Sequence, residues 1–137
     1  MTYRFSTDTA EMDRPTILRW LSEESYWAKG RTAERLATAM DSSLNFGMFD
    51  NDSGTQVAYA RVITDRVTFA WLCDVFVAEE VRGNGVGVAL IESVCAELEP
   101  MNLRRVGLTT LDAHGLYERF GFEPVANSET WMAKVAG

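Results

Sequence analysis

The sequence predicts a mixed α/β (α+β) fold, a mostly antiparallel central sheet of six to seven strands flanked by about four helices. Three observations carry this expectation. Strand-like segments between residues 45 and 77 are broken by two evident turns, the pattern of an antiparallel meander. A helical stretch separates the last of them from a further strand, so those two are expected to pair in parallel. Helical apolar spacing recurs on either side of the meander, at residues 13–44 and 86–98. With 137 residues and no repeat, linker or low-complexity run, the chain is expected to form one domain, 1–137, with a core of ordinary size.

Each element has a local reason. Residues 3–6 read as a short first strand. Asp13 is placed to cap a helix with Pro15 in its first turn and Ile17, Leu18, Trp20 and Leu21 as its apolar stripe, fading near Ser25. Residues 25–31 set Tyr26 and Trp27 beside two cations, a mixture found both on binding surfaces and at core edges. Thr32 opens a second helix in which Ala33, Leu36, Ala37, Met40 and Leu44 keep helical spacing. The meander strands are residues 45–49, 57–64 and 68–77, the first two joined by a hairpin turn at 50–54. Both faces of the third are apolar, as expected of a strand covered on each side. From Val86 a helix turns Val86, Leu90, Ile91, Val94, Cys95 and Leu98 inward, and Pro100 stops it. A strand at 105–110, a short helix at 113–120 ended by Gly121, and a closing hairpin at 123–135 complete the chain.

The net charge of −7 argues against nucleic acid or an anionic membrane as partner and favours a cationic one, such as an amine. Residues 1–6 lack an apolar run of signal-peptide length and no later segment is long enough to span a membrane, so a soluble cytoplasmic protein is expected. Cys73 and Cys95 fall in apolar periodic segments; two such residues make neither a disulfide framework nor a metal cluster, and no metal is expected. Exposed strand edges leave a homodimer open.

The chemistry concentrates in the turn between the third meander strand and the helix after it. Arg82, Gly83, Asn84, Gly85, Val86 and Gly87 place three glycines within five residues at a helix start. Unpaired N–H groups and the positive end of the helix dipole make such a bare turn an anion cradle, and Arg82 adds a phosphate-matching donor fork. Two better-known phosphate motifs do not fit. A dinucleotide fingerprint starting at Gly83 would need glycine at Val88, and a P-loop would need Lys and Ser or Thr after Gly87, where Val88 and Ala89 stand. What remains is Arg-x-x-Gly-x-Gly between a strand and an amphipathic helix.

Together with the later Leu116-Tyr117-Glu118-Arg119-Phe120-Gly121-Phe122, and in that order, this unit resembles the GNAT superfamily of acyl-CoA-dependent N-acetyltransferases, and the order of elements does so along most of the chain. The resemblance implies a transferase that moves an acetyl group from acetyl-CoA to a primary amine by direct attack in a ternary complex; the alternative is a non-catalytic acyl-CoA-binding sensor. It implies that the glycine turn binds the coenzyme A pyrophosphate, that the preceding strand splays at a bulge, and that Val75, Phe76 and Val77 face the pantetheine arm. It makes Tyr117 the general acid to the leaving thiolate. A phenol with pKa about 10 can protonate a thiolate with pKa about 8.5, and an attacking alkylamine with pKa about 10.4 must first lose a proton. An asparagine frequent in the family is Thr110 here, so Thr110 or Asp112 is expected to substitute. The acceptor site is implied at Glu23, Glu24, Tyr26, Trp27 and Trp131.

Three further residues carry open readings. Asp74 interrupts an apolar strand, where desolvation is expected to raise its pKa and suit it as base or amine holder; it reads equally as an acceptor for unpaired N–H groups at the bulge. His114 reads as a coenzyme contact or a surface residue. Cys73 has no evident activating partner for an acyl-carrier role.

Overall fold

The structure, a computed structural model, describes residues 2–136. Its elements in order are β1 (Tyr3–Ser6), α1 (Arg14–Arg19), α2 (Ala33–Asp41), β2 (Leu44–Asp50), β3 (Gln56–Thr64), β4 (Phe69–Val77), α3 (Val86–Leu98), β5 (Arg105–Gly107) and α4 (His114–Glu118). The strands lie in the order β1-β2-β3-β4-β5; the first four are antiparallel and β5 runs parallel to β4, as its helical crossover requires.

The helix starts follow their sequence signals. The Asp13 carboxylate accepts from the Thr16 N–H at 3.2 Å with Pro15 in the first turn, and the Thr32 hydroxyl accepts from the Arg35 N–H at 3.2 Å. α2 stops at Asp41, short of the expected Leu44. The hydroxyls of Ser42 and Ser43 bond back to the carbonyls of Thr38 and Ala39, ending the helix and freeing Leu44 to join β2.

The helices cover opposite faces of the sheet. Phe76 of β4 stacks on Trp20, just past α1, with ring centroids 5.3 Å apart, while its neighbour Val77 packs against α3 at Gly87. Consecutive strand residues point to opposite faces, so α1 and α3 do too. From α3, Val86, Leu90, Ile91, Val94 and Leu98 are buried as expected, with Cys95 half-buried.

Two expectations are corrected. The sheet has five strands among the described residues, because the closing hairpin does not form. Residues 123–136 are exposed and contain one turn, Ser128–Thr130, entered through Asn127 at φ +59°, where a strand would need extended backbone. Coverage of β4 is also incomplete: every second residue from Phe69 to Val77 is only half-buried.

That partial coverage coincides with two irregularities that shape the site. In the β3–β4 ladder Tyr59 faces Phe76 and Arg61 faces Cys73, so Ala60 alone opposes both Asp74 and Val75. This is a β-bulge, and Asp74 takes a left-handed φ of +53° within it. On its other side β4 pairs with β5 only through Phe69, Ala70 and Trp71. From Leu72 onward the two chains separate.

Candidate functional site

The glycine turn is built by backbone conformation. Gly83 (φ +87°) and Gly85 (φ +78°) are left-handed, and a Cβ on either would meet nothing within 4 Å; strain, not crowding, selects glycine there. Gly85 is the N-cap of α3 and supplies no side-chain acceptor, so the first-turn N–H groups have no side-chain cap. Gly87 has helical backbone, and a Cβ on it would lie 3.5 Å from Val77 Cγ2, so α3 packs close against β4. Arg82 lies across the entrance. Its Nε donates to the Val77 carbonyl at 3.0 Å and its guanidinium sits 5.3 Å above the Phe76 ring. Of the backbone groups at Val75, Phe76 and Val77, the Val77 carbonyl is therefore already engaged. Asn84 is exposed and Val86 buried.

Beyond Trp71, the separation of β4 from the chain following β5 opens a cleft of about 360 Å³. Its walls include Tyr26 and Trp27 of the α1–α2 loop, Val75, Thr110, Asp112 and Tyr117. The loop is set by the end of the first helix, which widens over Trp20–Glu24: the Ser25 N–H reaches back five residues to the Trp20 carbonyl at 2.9 Å. The buried Ser25 hydroxyl donates to the Leu21 carbonyl at 2.6 Å and accepts from the Ala28 N–H at 3.1 Å, anchoring both ends of the aromatic pair.

Tyr117 reaches the cleft from α4. The Thr110 hydroxyl accepts from the Ala113 N–H at 3.0 Å at the entry to that helix, and Gly121 at φ +89° lets Phe122 fold back onto the Tyr117 ring, centroids 5.8 Å apart. Burial, with smaller contributions from Tyr26 and Asp112, pushes the Tyr117 phenol up to about 12. It holds its proton at neutral pH and is a donor.

Asp74 is the most heavily bonded side chain of the region. One carboxylate oxygen accepts from the Trp27 indole at 3.0 Å; the other accepts from Arg31 at 2.6 Å and Arg61 at 2.9 Å. The carboxylate is 2% exposed. Burial pushes its pKa up, but the hydrogen bonds and charges of Arg31 and Arg61 together outweigh that and hold it below the ordinary value. The expected rise is therefore overturned, and the acceptor role is directed at side chains rather than at bulge N–H groups. Cys73 beside it is pushed up to about 11, chiefly by burial, and stays a thiol.

Other expected residues lie apart. His114 and Trp131 line a second hollow of about 830 Å³, between α3, α4 and the tail, which shares Trp71, Leu108, Thr109, Thr110 and Tyr117 with the cleft but not Tyr26 or Trp27. Trp131 stands 5.6 Å from the Arg105 guanidinium and does not meet Tyr26 and Trp27, because the hairpin expected to carry it across is not formed. Glu23 and Glu24 are exposed; Glu24 approaches Arg19 at 3.9 Å, and neither lines the cleft. Sequence reasoning missed Arg61 and Ser43, and missed Arg31 as the partner of Asp74. A signal was present: Arg61 is the one cation in an apolar strand adjacent to the strand in which Asp74 is the one anion, and buried opposite charges are paired.

A family model described as "Acetyltransferase (GNAT) family" matches residues 14–122. A Gibberella zeae protein named a "putative acetyltransferase" is 34% identical over 133 residues, covering 84% of this chain and 75% of that protein. A crystal structure from Xanthomonas campestris, titled a "putative acetyltransferase belonging to the GNAT family", is 43% identical with a TM-score of 0.93, covering 99% of this chain and 94% of that one. The structure of a Mycobacterium tuberculosis protein in complex with CoA is similar in fold alone, at 18% identity and TM-score 0.73 over 92% of this chain and 74% of its own. A helix-capping glycine turn, a strand with a bulge, an opening beside it and a family match across residues 14–122 agree with one another, and the chain belongs to the acetyltransferase (GNAT) family.

Proposed function

We propose that this protein is an acetyl-CoA-dependent N-acetyltransferase acting on a primary amine by direct attack in a ternary complex. One observation carries the reading: the uncapped N-terminus of α3 and the unpaired stretch of β4 lead from an anion cradle to a cleft walled by a protonated tyrosine.

The donor fits the residues present. Gly83 and Gly85 leave the cradle clear of side chains, and the first-turn N–H groups of α3 lack an internal partner, which suits a pyrophosphate. Gly83, Asn84, Gly85, Val86 and Gly87 would hold it, with the remaining donors of Arg82. Bound acetyl-CoA supplies an acetyl group already activated as a thioester. Val75 and Phe76 would orient the pantetheine arm along the side of β4 that β5 leaves unpaired. Tyr117 would share or donate its proton to the departing sulfur, and its retention of the proton keeps it available as the hydrogen-bond donor there. Tyr26 and Trp27 would form the acceptor wall, with Asp112 at the rim. Asp74 is a weak candidate for the base, since arginine contacts hold it ionised and both its oxygens are engaged; its role would be to position Trp27 and the arginines.

The test is thermal and chemical. Acetyl-CoA at a hundredfold excess over Kd should stabilise the native state by about 2.7 kcal/mol, a shift of several degrees in Tm. Release of free thiol should then depend on an added amine. No shift at saturating acetyl-CoA would sink the assignment; a shift with no amine-dependent thiol release across a broad panel would point to the non-catalytic sensor.

A further inference from the structure

The cleft separates its charges. Two guanidinium groups, Arg31 and Arg61, converge on one carboxylate oxygen of Asp74, whose second oxygen is taken by Trp27. One carboxylate balances one of them, so a positive charge is left over. Both arginines are partly buried, with side chains 22% and 11% exposed, where an unbalanced charge is costly. Neither has exhausted its donors. Arg31 commits one terminal nitrogen to Asp74, and Arg61 commits Nε to Asp74 and a terminal nitrogen to Ser43 at 3.0 Å. The other nitrogens have no protein partner among the described residues, and both side chains line the cleft. A guanidinium has five N–H donors in a fork that matches a carboxylate or phosphate.

The other charged wall residue, Asp112, is exposed, pairs with neither arginine, and lies near enough to Tyr117 to raise its pKa. The cleft thus carries a surplus positive charge where Arg31 and Arg61 meet Asp74, and an exposed carboxylate, Asp112, near Tyr117. Trp27, Ile63 and Trp71 give the cleft apolar walls.

We propose that the acceptor is a small zwitterionic amine, carrying a carboxylate or phosphate beside its amino group, and that Arg31 and Arg61 bind that anion. Arg31 and Arg61 are then specificity-determining residues: they place the anion at the far wall and leave the amine beside Tyr117 and Asp112. The inference rests on the N-acetyltransferase reading and names the substrate class of that same site.

Matched probes test it. L-phenylalanine and L-methionine are compared with their carboxamides, and phosphoethanolamine with ethanolamine, by thiol release from acetyl-CoA, with the acetyl-CoA thermal shift measured in parallel. The anion-bearing member of at least one pair should have kcat/KM about ten- to a hundredfold higher, the worth of a charged hydrogen-bonded contact; which pair does so separates carboxylate from phosphate. In Arg31→Gln, which leaves Asp74 its Arg61 partner, the preference should fall to within about threefold, and Arg31→Lys should restore part of it. Equal use of both members of every pair, or a preference that survives Arg31→Gln, overturns the inference. An intact thermal shift with none of the anionic probes acetylated overturns it while sparing the coenzyme reading. Loss of both the shift and all thiol release overturns the two together.

Discussion

Tyr117 and Asp74 both line the cleft and have opposite relations to their protons. Tyr117 is a buried phenol with no charged partner holding it, so its proton is retained; Asp74 is a buried carboxylate bound by two guanidiniums, so its proton is lost. Replacing Tyr117 with Phe should lower kcat by about 10²- to 10⁴-fold with little change in the KM for acetyl-CoA, the signature of a lost general acid. Equal losses in both parameters would make the tyrosine structural. Because its folded pKa is raised, the stabilisation it contributes is present below about pH 10 and is lost as pH rises toward about 12. The melting temperatures of wild type and Tyr117→Phe should therefore converge or cross only in that alkaline window. Asp74→Asn should cost about 3–5 kcal/mol in denaturant unfolding, since it strands two partly buried arginines. The sign of its pH effect is the reverse: the folded pKa is depressed, so stability is present above about pH 4 and lost as pH falls through the folded value. The loss of stability across that acid range should be smaller in the asparagine variant than in wild type. Tyr117 was legible from its motif, and Asp74 from being an acid in an apolar strand. The partners that reversed Asp74's expected pKa were not, because Arg31 and Arg61 are 43 and 13 residues away in sequence.

At the scale of elements, the strand-to-helix turn is the most local feature of the site and the most fully readable. Its requirement is a backbone one, two left-handed positions and an uncapped helix start, and glycine spacing records such demands directly. Gly85→Ala should destabilise the fold by roughly 1–2 kcal/mol through left-handed strain alone. It should also raise the KM for acetyl-CoA by more than it changes kcat, if the turn holds the pyrophosphate; a variant with unaltered KM would remove the turn from the coenzyme site. β4 is different. Its apolar run identified the strand and its place before the glycine turn, but the bulge at Asp74 depends on which β3 residue it faces, and register is fixed by two strands together.

Across the whole molecule the sheet supplies a frame whose last pairing is short, and that shortness makes the cleft. β5 contributes three paired residues where six were expected, and residues 108–110 instead become a wall. The exposed tail follows from the same edge: no strand completes it among the described residues. Limited digestion with a Glu-specific protease should cut first at Glu123 and Glu129, since these lie in exposed backbone outside any ladder. Earlier cleavage at Glu92 or Glu97 would contradict this arrangement, since both belong to α3. The sequence by itself determined the element order as far as α4, the helix caps, the parallel crossover, the glycine turn and the place of Tyr117 in α4, because each depends on residues close together in the chain. Tertiary structure alone decided the bulge register, the opening beside β4, the separation of Trp131 from the cleft and the meeting of Arg31, Arg61 and Asp74. Those depend on which distant segments pair and which pairings stop early, and no local pattern of side chains encodes where a ladder ends.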